Sequence, residues 1–286
     1  MISTRAVRKV TIAASAPVQA GRTFFPYEHG ATAMLLAPFF CAAAVLKRVY
    51  WVEGVILIAI VCAFAIKDPL LVLARQLWIW KQEHPETKAA RRWVGVESIL
   101  LSLCGLALLG TRNWRSFMLL SLGAVTFTVV AVMVNLRNRQ RSEWFQVASA
   151  VALTSTSLAA GLSAQGAIPG WCWVLWLLCA LQAAAGIFVV HARLDARIAV
   201  RKGARETSSR RAALVCQVVL LAVGGFFAYN RRPWITAALL MAAAGYLFEL
   251  RRQKKTASLQ MPLTRVGIQA LTLLVVYSVL IVIGLW

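Results

Sequence analysis

The chain has 286 residues, of which 60% are hydrophobic and 14% are charged. Soluble globular domains carry about 45–50% apolar and about 25% charged residues, so this composition excludes a water-soluble globular protein. The 31 Lys and Arg against 10 Asp and Glu would suit a nucleic-acid-binding protein if they formed one basic patch. The cations instead stand in short groups between long apolar runs. This pattern excludes nucleic acid as a partner and indicates an integral membrane protein.

The N-terminal segment 1–23 is predicted to be a mobile cytoplasmic tail. It lacks the continuous apolar core of about 7–15 residues that a secretory signal needs. The six cysteines lie within apolar runs and form no CxxC pair, which argues against a zinc site or a disulfide framework. No metal site is therefore expected, and the residues identify no cofactor.

Residues 24–286 are predicted to form one all-α domain, a polytopic membrane bundle of nine transmembrane helices. A spanning helix needs roughly 20 mostly apolar residues, and nine segments qualify without the period-2 alternation of strands. Lys47 and Arg48 shorten the first span, and Thr111 and Arg112 shorten the third. The predicted spans are 30–46, 51–70, 93–110, 114–135, 144–163, 171–191, 211–229, 233–250 and 266–286.

The distribution of cations predicts the orientation of the bundle. Of the 31 Lys and Arg, 25 fall in the N-terminal segment and in the loops at 67–92, 136–143, 192–211 and 251–265. The other six are Lys47, Arg48, Arg112, Arg115, Arg231 and Arg232. By the positive-inside rule, the first group is cytoplasmic, which predicts a bacterial inner-membrane protein with its N-terminus inside and its C-terminus outside. Most of these cations are expected to set topology and to attract anionic lipid headgroups.

Four polar clusters fall on the predicted cytoplasmic side, and the first two flank spans one and two. Glu28 suits a helix N-terminus through the helix dipole, whereas His29 titrates near neutral pH and is one of only three histidines. Lys67, Asp68 and Arg75 lie where span two emerges into the cytoplasm, and a continuing helix would place the acid and the arginine on one face. Two interpretations fit the first cluster, a local helix cap and a functional pair. Two also fit the second cluster, a neutralised helix end and a binding surface.

The third cluster joins spans four and five, and the fourth ends span six. In the third cluster, the arginines offer forked hydrogen-bond donors that suit phosphate or carboxylate, and the asparagines add directional hydrogen bonds. Its candidate residues are Asn135, Arg137, Arg139 and Glu143. In the fourth, His191 and Asp195 are i,i+4 neighbours, and Arg193 and Arg197 form a second such pair on another face. Asp195 would fix the tautomer of His191, although an exposed amphipathic extension explains the same residues.

Polar residues inside the predicted spans are few, and most of them are uncharged. The hydroxyl run 154–157 favours helix packing over a pathway, because Ser and Thr can bond back to their own helix. Glu53, Glu97 and Glu249 are predicted near span ends. A chain of buried carboxylates for proton transfer is therefore not expected, which disfavours a proton-coupled pump.

The stretch Phe25–Ala31, which reads Phe-Pro-Tyr-Glu-His-Gly-Ala, resembles the opening of the YwiC-like family of bacterial membrane proteins. That family typically reads P-x-E-H-G-A before a small-residue stretch. The Arg/Asn-rich loop at 135–143 and the basic end of span six are also similar, so the likeness extends over most of the chain from residue 24.

A weaker likeness is to the UbiA-type prenyltransferases. That superfamily has nine helices and a cytoplasm-facing site in the loops after helices two and six, where acidic motifs hold magnesium and a prenyl diphosphate. In this chain the acidic motifs reduce to Asp68 and Asp195, set among cations. Two lone acids make a poor magnesium site, whereas the cations could hold an anionic headgroup directly.

The leading hypothesis is a cytoplasm-facing polar pocket that binds or modifies an anionic amphiphile, a phospho- or isoprenoid-type lipid. The predicted binding residues are Lys67, Asp68, Arg75, Asn135, Arg137, Arg139, Glu143, Arg193 and Arg197. In an enzymatic version, a histidine acts as general base or acid beside a carboxylate. The candidate catalytic pairs are Glu28 with His29 and Asp195 with His191. The alternatives are a carrier for small anions or lipids, and a haem-binding accessory subunit in which His29 and His191 are axial ligands.

Overall fold

The computed structural model describes residues 29–48, 50–83, 85–111, 113–137, 142–202, 209–259, 261 and 263–286. Every regular element in these ranges is helical. Apolar runs fold in this way because a helix satisfies its own backbone hydrogen bonds where lipid offers none. The predicted all-α class is confirmed.

Twelve α-helices occupy the described ranges. They are α1 His29–Leu46, α2 Trp51–Ala65, α3 Lys67–Arg75, α4 Thr87–Leu109, α5 Trp114–Leu136, α6 Glu143–Thr154, α7 Thr156–Gln165, α8 Gly170–Lys202, α9 Ser209–Tyr229, α10 Pro233–Arg252, α11 Thr256–Leu259 and α12 Leu263–Leu285. A π-helical turn, Gln76–Trp80, continues α3.

Within the described part of the chain, eight helical segments are long and apolar enough to cross a membrane, and α1 is a shorter apolar helix. All nine coincide with predicted spans. The second crossing, Trp51–Trp80, joins α2 and α3, and the fifth, Glu143–Gln165, joins α6 and α7. The chain is therefore a polytopic helical membrane protein. As predicted, α1 ends before Lys47, which adopts a left-handed conformation.

The core of the bundle surrounds α8 and α10. α8 packs against α1, α6, α7, α9 and α10, and α10 packs against α9 and α12. Fully buried alanines such as Ala238 and Ala242 on α10 allow close helix approach, which membrane bundles use in place of hydrophobic burial. By contrast, α4 and α5 leave most of their surface outside the protein interior.

Hydrogen bonds to the neighbouring helices α1 and α8 connect the backbone at the break between α6 and α7. The Ser155 N–H bonds to the Ala152 carbonyl, and the Val151 carbonyl accepts from Trp176 Nε1 of α8 at 2.9 Å. The Thr156 hydroxyl donates to the Leu35 carbonyl of α1 at 2.7 Å. The hydroxyl run thus bonds to backbone carbonyls, which supports the interpretation that it serves packing.

Candidate functional site

We call the side of the bundle that carries the loops at 67–92, 136–143, 192–211 and 251–265 the basic face. α8 reaches this face with the fourth predicted cluster, and the cluster divides between two sides of the helix. His191 and Asp195 contact residues of α6 and α9, whereas Arg193 and Arg197 contact α10 and the segment after it. This division confirms that the two i,i+4 pairs lie on different faces.

The first side of α8 forms what we call the polar cluster, which consists of Glu143, Gln146, His191, Asp195 and Ser209. Ser209 begins α9, and its hydroxyl lies within hydrogen-bond distance of carboxylate oxygens of both Glu143 and Asp195. A hydroxyl has one proton, so Ser209 can donate to only one of these carboxylates at a time. The fold thus brings together two predicted site residues that are 52 positions apart in sequence.

His191 is half-buried, and its Nε2 lies 2.9 Å from Gln146 Oε1. Because an amide oxygen only accepts hydrogen bonds, His191 donates through Nε2, and in a neutral ring Nδ1 is left as the acceptor. The sequence predicted Asp195 as the group that orients this ring. Sequence reasoning missed the role of Gln146, although Gln146 stands one turn after Glu143 on α6.

The second side of α8 holds Arg193 and Arg197, which we call the arginine anchor. Arg193 is 3% exposed, forms an ion pair with Glu249 of α10, and donates to the Ser258 carbonyl at 2.6 Å. Arg197 donates to the Leu259 and Met261 carbonyls at 2.7 and 2.6 Å. Both guanidinium groups therefore fix the backbone of α11 and of Met261.

A groove with a volume of 460 Å³ opens beside the anchored segment, and we call it the basic groove. It is lined by Phe248, Arg252, Lys255, Ser258 and Met261. Phe248 is 62% exposed, and the Arg252 guanidinium lies 5.5 Å from its ring centroid. Sequence reasoning treated Arg252 and Lys255 as topology determinants. The available signal was the density of the run 251–255, in which four of five residues are cationic.

The second predicted cluster lies in a different part of the bundle, because α3 packs against α4 and α5. Lys67 and Asp68 form an ion pair at 3.8 Å. α3 is continuous to Arg75, which is the condition for Asp68 and Arg75 to share a face, and Arg75 is half-buried with no hydrogen-bond or ion-pair partner among the described residues. Asn135 donates to the Ala131 carbonyl of its own helix at 3.1 Å.

For the remaining predicted residues, the described structure gives no contact with the site. Glu28 and Arg139 lie outside the described residues, and His29 is described only as the first residue of α1. Arg137 follows α5 and is exposed. In the part of the chain that the structure describes, no group of three or more His, Cys, Asp or Glu side chains is placed to hold a metal ion.

Glu97 lies in the middle of α4, although it is only five residues into the predicted span 93–110. α4 begins at Thr87, six residues before the predicted span, so Glu97 is the eleventh of 23 residues. It is 4% exposed and packs in the bundle interior. The early start has a simple cause: Lys88, Arg91 and Arg92 are good helix formers that extend the helix beyond the apolar run.

Residues 25–161 match the family model described as YwiC-like protein. This part of the chain is similar to the YwiC-like family. The YwiC-like segment covers the Glu28–His29 motif, the α3 cluster and Glu143, whereas α8, the arginine anchor and the basic groove follow it. No curated protein and no solved structure matches the chain. The likeness to UbiA-type enzymes stays a prediction.

Proposed function

We propose that this protein binds an anionic amphiphile at the cytoplasmic face of the bacterial inner membrane, with the headgroup at Arg252 and Lys255 and the chain against the largely apolar lining of the basic groove. The observation that carries the proposal is the pairing of cations with an exposed apolar ring. Arg252 and Lys255 offer charge to a headgroup, and Phe248 offers apolar surface to a chain. The basic face is assigned to the cytoplasm by the positive-inside rule.

The arginine anchor supports this proposal because it holds the backbone that lines the basic groove. Arg193 and Arg197 already bond to carbonyls of the α11 segment, so they position the lining residues Ser258 and Met261. Lys and Arg near an anionic leaflet attract it by about 1 kcal/mol each, and an arginine fork suits phosphate geometry. Arg75, which is half-buried, is a further candidate contact on the YwiC-like side of the bundle.

A lipid-retention experiment tests the proposal. The full-length protein is equilibrated with phosphatidylglycerol in mixed micelles, and bound lipid is counted by native mass spectrometry. We expect the double variant Arg252→Ala with Lys255→Ala to weaken retention by roughly 30-fold, from about 1 kcal/mol for each cation. The control is Arg231→Ala with Arg232→Ala, which removes the same charge from exposed positions at the opposite face. Equal losses in the two double variants would contradict a specific groove site.

An enzymatic role would rest on the polar cluster. There His191 would act as general base through Nδ1, because Nε2 is engaged by Gln146. The pair of Glu28 and His29 is the other catalytic candidate. An unchanged membrane lipid profile in cells that carry both His29→Gln and His191→Gln would rule out catalysis by these histidines.

A carrier is the second candidate function, because the crossing Glu143–Gln165 is interrupted at Ser155. Interrupted helices at membrane depth often line a transport site. Counterflow uptake of labelled anions or lipids into proteoliposomes distinguishes a carrier from a binding protein. Haem binding stays a prediction, and an absorption spectrum of the purified protein without a Soret band would exclude it.

A further inference from the structure

Glu97 is a buried acid that the amphiphile site does not use. It lies on the stripe of α4 that also contains the buried Ala90 and Cys104. α4 packs against α2, α3 and α5. Glu97 Oε2 is buried without a hydrogen-bond partner, and no ion pair reaches this side chain in the described ranges.

Among the described residues, no cation forms an ion pair with Glu97, and the cations of the neighbouring helix α3 are Lys67 and Arg75. Asp68 of α3 and Cys62 of α2 are near enough to interact with it electrostatically, and Cys104 is two turns along α4. Lys67 of α3 is 3.8 Å from Asp68. On α5, the one described cation inside the helix is Arg115, at its first turn, on the face opposite to the basic face.

The other buried or half-buried glutamates of the described spans have compensation that Glu97 lacks, and for Glu143 it is the Ser209 hydroxyl. Glu53 lies in the first turn of α2, where the helix dipole favours an acid, and its Oε2 accepts from the Tyr50 N–H at 3.3 Å. Glu249 is paired with Arg193. Glu97 lies in the middle of α4, away from both helix termini, so none of these explanations applies to it.

An ionised carboxylate in an apolar interior, with neither a cation nor donors, costs several kcal/mol. A proton removes this charge at once, whereas a metal ion would need several further oxygen ligands. Asp68 lies at the start of α3 with its side chain 35% exposed, so it is the candidate entry point for a proton from the basic face.

We propose that Glu97 is a proton-binding site in the interface between α2, α3 and α4, loaded from the basic face past Asp68. Glu97 takes up one proton from water as a neutral carboxylic acid and returns it to water as a carboxylate. A buried carboxyl group that exchanges a proton is the element on which proton-linked carriers and relays are built. The site does not depend on the basic groove, and either proposal can fail alone.

Infrared difference spectroscopy of the full-length protein in lipid tests this site. Ordinary glutamates ionise near pH 4, so few other carboxyl groups carry a proton at neutral pH. We expect the wild-type protein at pH 7 to show the carbonyl stretch of a protonated carboxylic acid, and Glu97→Gln to lose the intensity of one carboxyl group. The matched control is Glu83→Gln, whose side chain is 67% exposed, and it should leave the band unchanged.

Glu97→Gln is also expected to keep the wild-type thermal unfolding temperature, because the amide is neutral and nearly isosteric with the protonated acid. Absence of a protonated-acid band in the wild-type protein would overturn the proposal, even if the variant failed to fold. The same conclusion would follow if the band persisted at full intensity in a folded Glu97→Gln variant.

Discussion

Arg193 shows how a single residue position combines charge with burial. Its guanidinium is almost fully enclosed, yet Glu249 and the Ser258 carbonyl supply acceptors. Buried charges persist in proteins when such partners offset the loss of hydration. At this scale, sequence reasoning could identify the charged residues and their i,i+4 spacing, because both are local. It could not identify Glu249, 56 positions away, as the partner of Arg193.

Removing Arg193 leaves Glu249 without its cation. We expect Arg193→Ala to lower the free energy of unfolding by about 3–5 kcal/mol, the range found for breaking buried pairs. Arg197→Ala, which breaks bonds to neutral carbonyls, should cost less. Unfolding midpoints in one detergent measure both effects. Recovery in the double variant Arg193→Met with Glu249→Leu would assign the loss to the unpaired acid, and a wild-type midpoint for Arg193→Ala would refute the argument.

At the scale of elements, helix positions follow from apolar runs: in the described chain each predicted crossing coincides with an apolar helix, and eight of these are long enough to span a membrane. Their internal structure follows less directly from sequence. Pro69 marks the region where α2 gives way to α3, since proline donates no backbone hydrogen bond. The break at Ser155 has no proline, and it depends on Trp176 and Leu35 from other helices. Such breaks are tertiary features, which a local pattern does not contain.

The cross-helix bond of Thr156 is expected to stabilise the junction of α1 and α7. Thr156→Val keeps the side-chain shape and removes the donor to the Leu35 carbonyl, at a cost of about 1–3 kcal/mol for an unsatisfied buried group. Thr156→Ser retains the donor and should retain most of the stability. Ser163→Ala is the matched control, because that hydroxyl bonds within its own helix at 2.6 Å. Equal thermal shifts for Thr156→Val and Ser163→Ala would show that the cross-helix bond contributes nothing specific.

For the whole molecule, the arrangement of helices separates groups that the sequence suggested would share one chamber. The α3 cluster packs with α4 and α5, while the polar cluster and the arginine anchor occupy two sides of α8. Hydrophobic pattern and charge predict how many crossings exist and which way they face. They do not predict which crossings touch, because helix neighbours depend on shape complementarity across the bundle.

The predicted orientation can be tested with single cysteines at two exposed positions, Lys254 on the basic face and Asn230 on the opposite face. We expect a membrane-impermeant maleimide to label Asn230→Cys in intact spheroplasts, and to label Lys254→Cys only after permeabilisation. Five of the six native cysteines are buried, which keeps background labelling low. The reverse pattern would invert the topology and place the basic groove outside the cell.

The length of α8 has a mechanical consequence. Its 33 residues form one uninterrupted rod of about 50 Å, longer than the roughly 30 Å hydrocarbon core. His191 and Arg197 stand on different flanks of this rod, within two turns of each other. A rod without a joint tilts as a unit, so a ligand that pushes one flank displaces the other. If the proposed ligand binds the groove, we therefore expect the imidazole NMR signal of His191 to change.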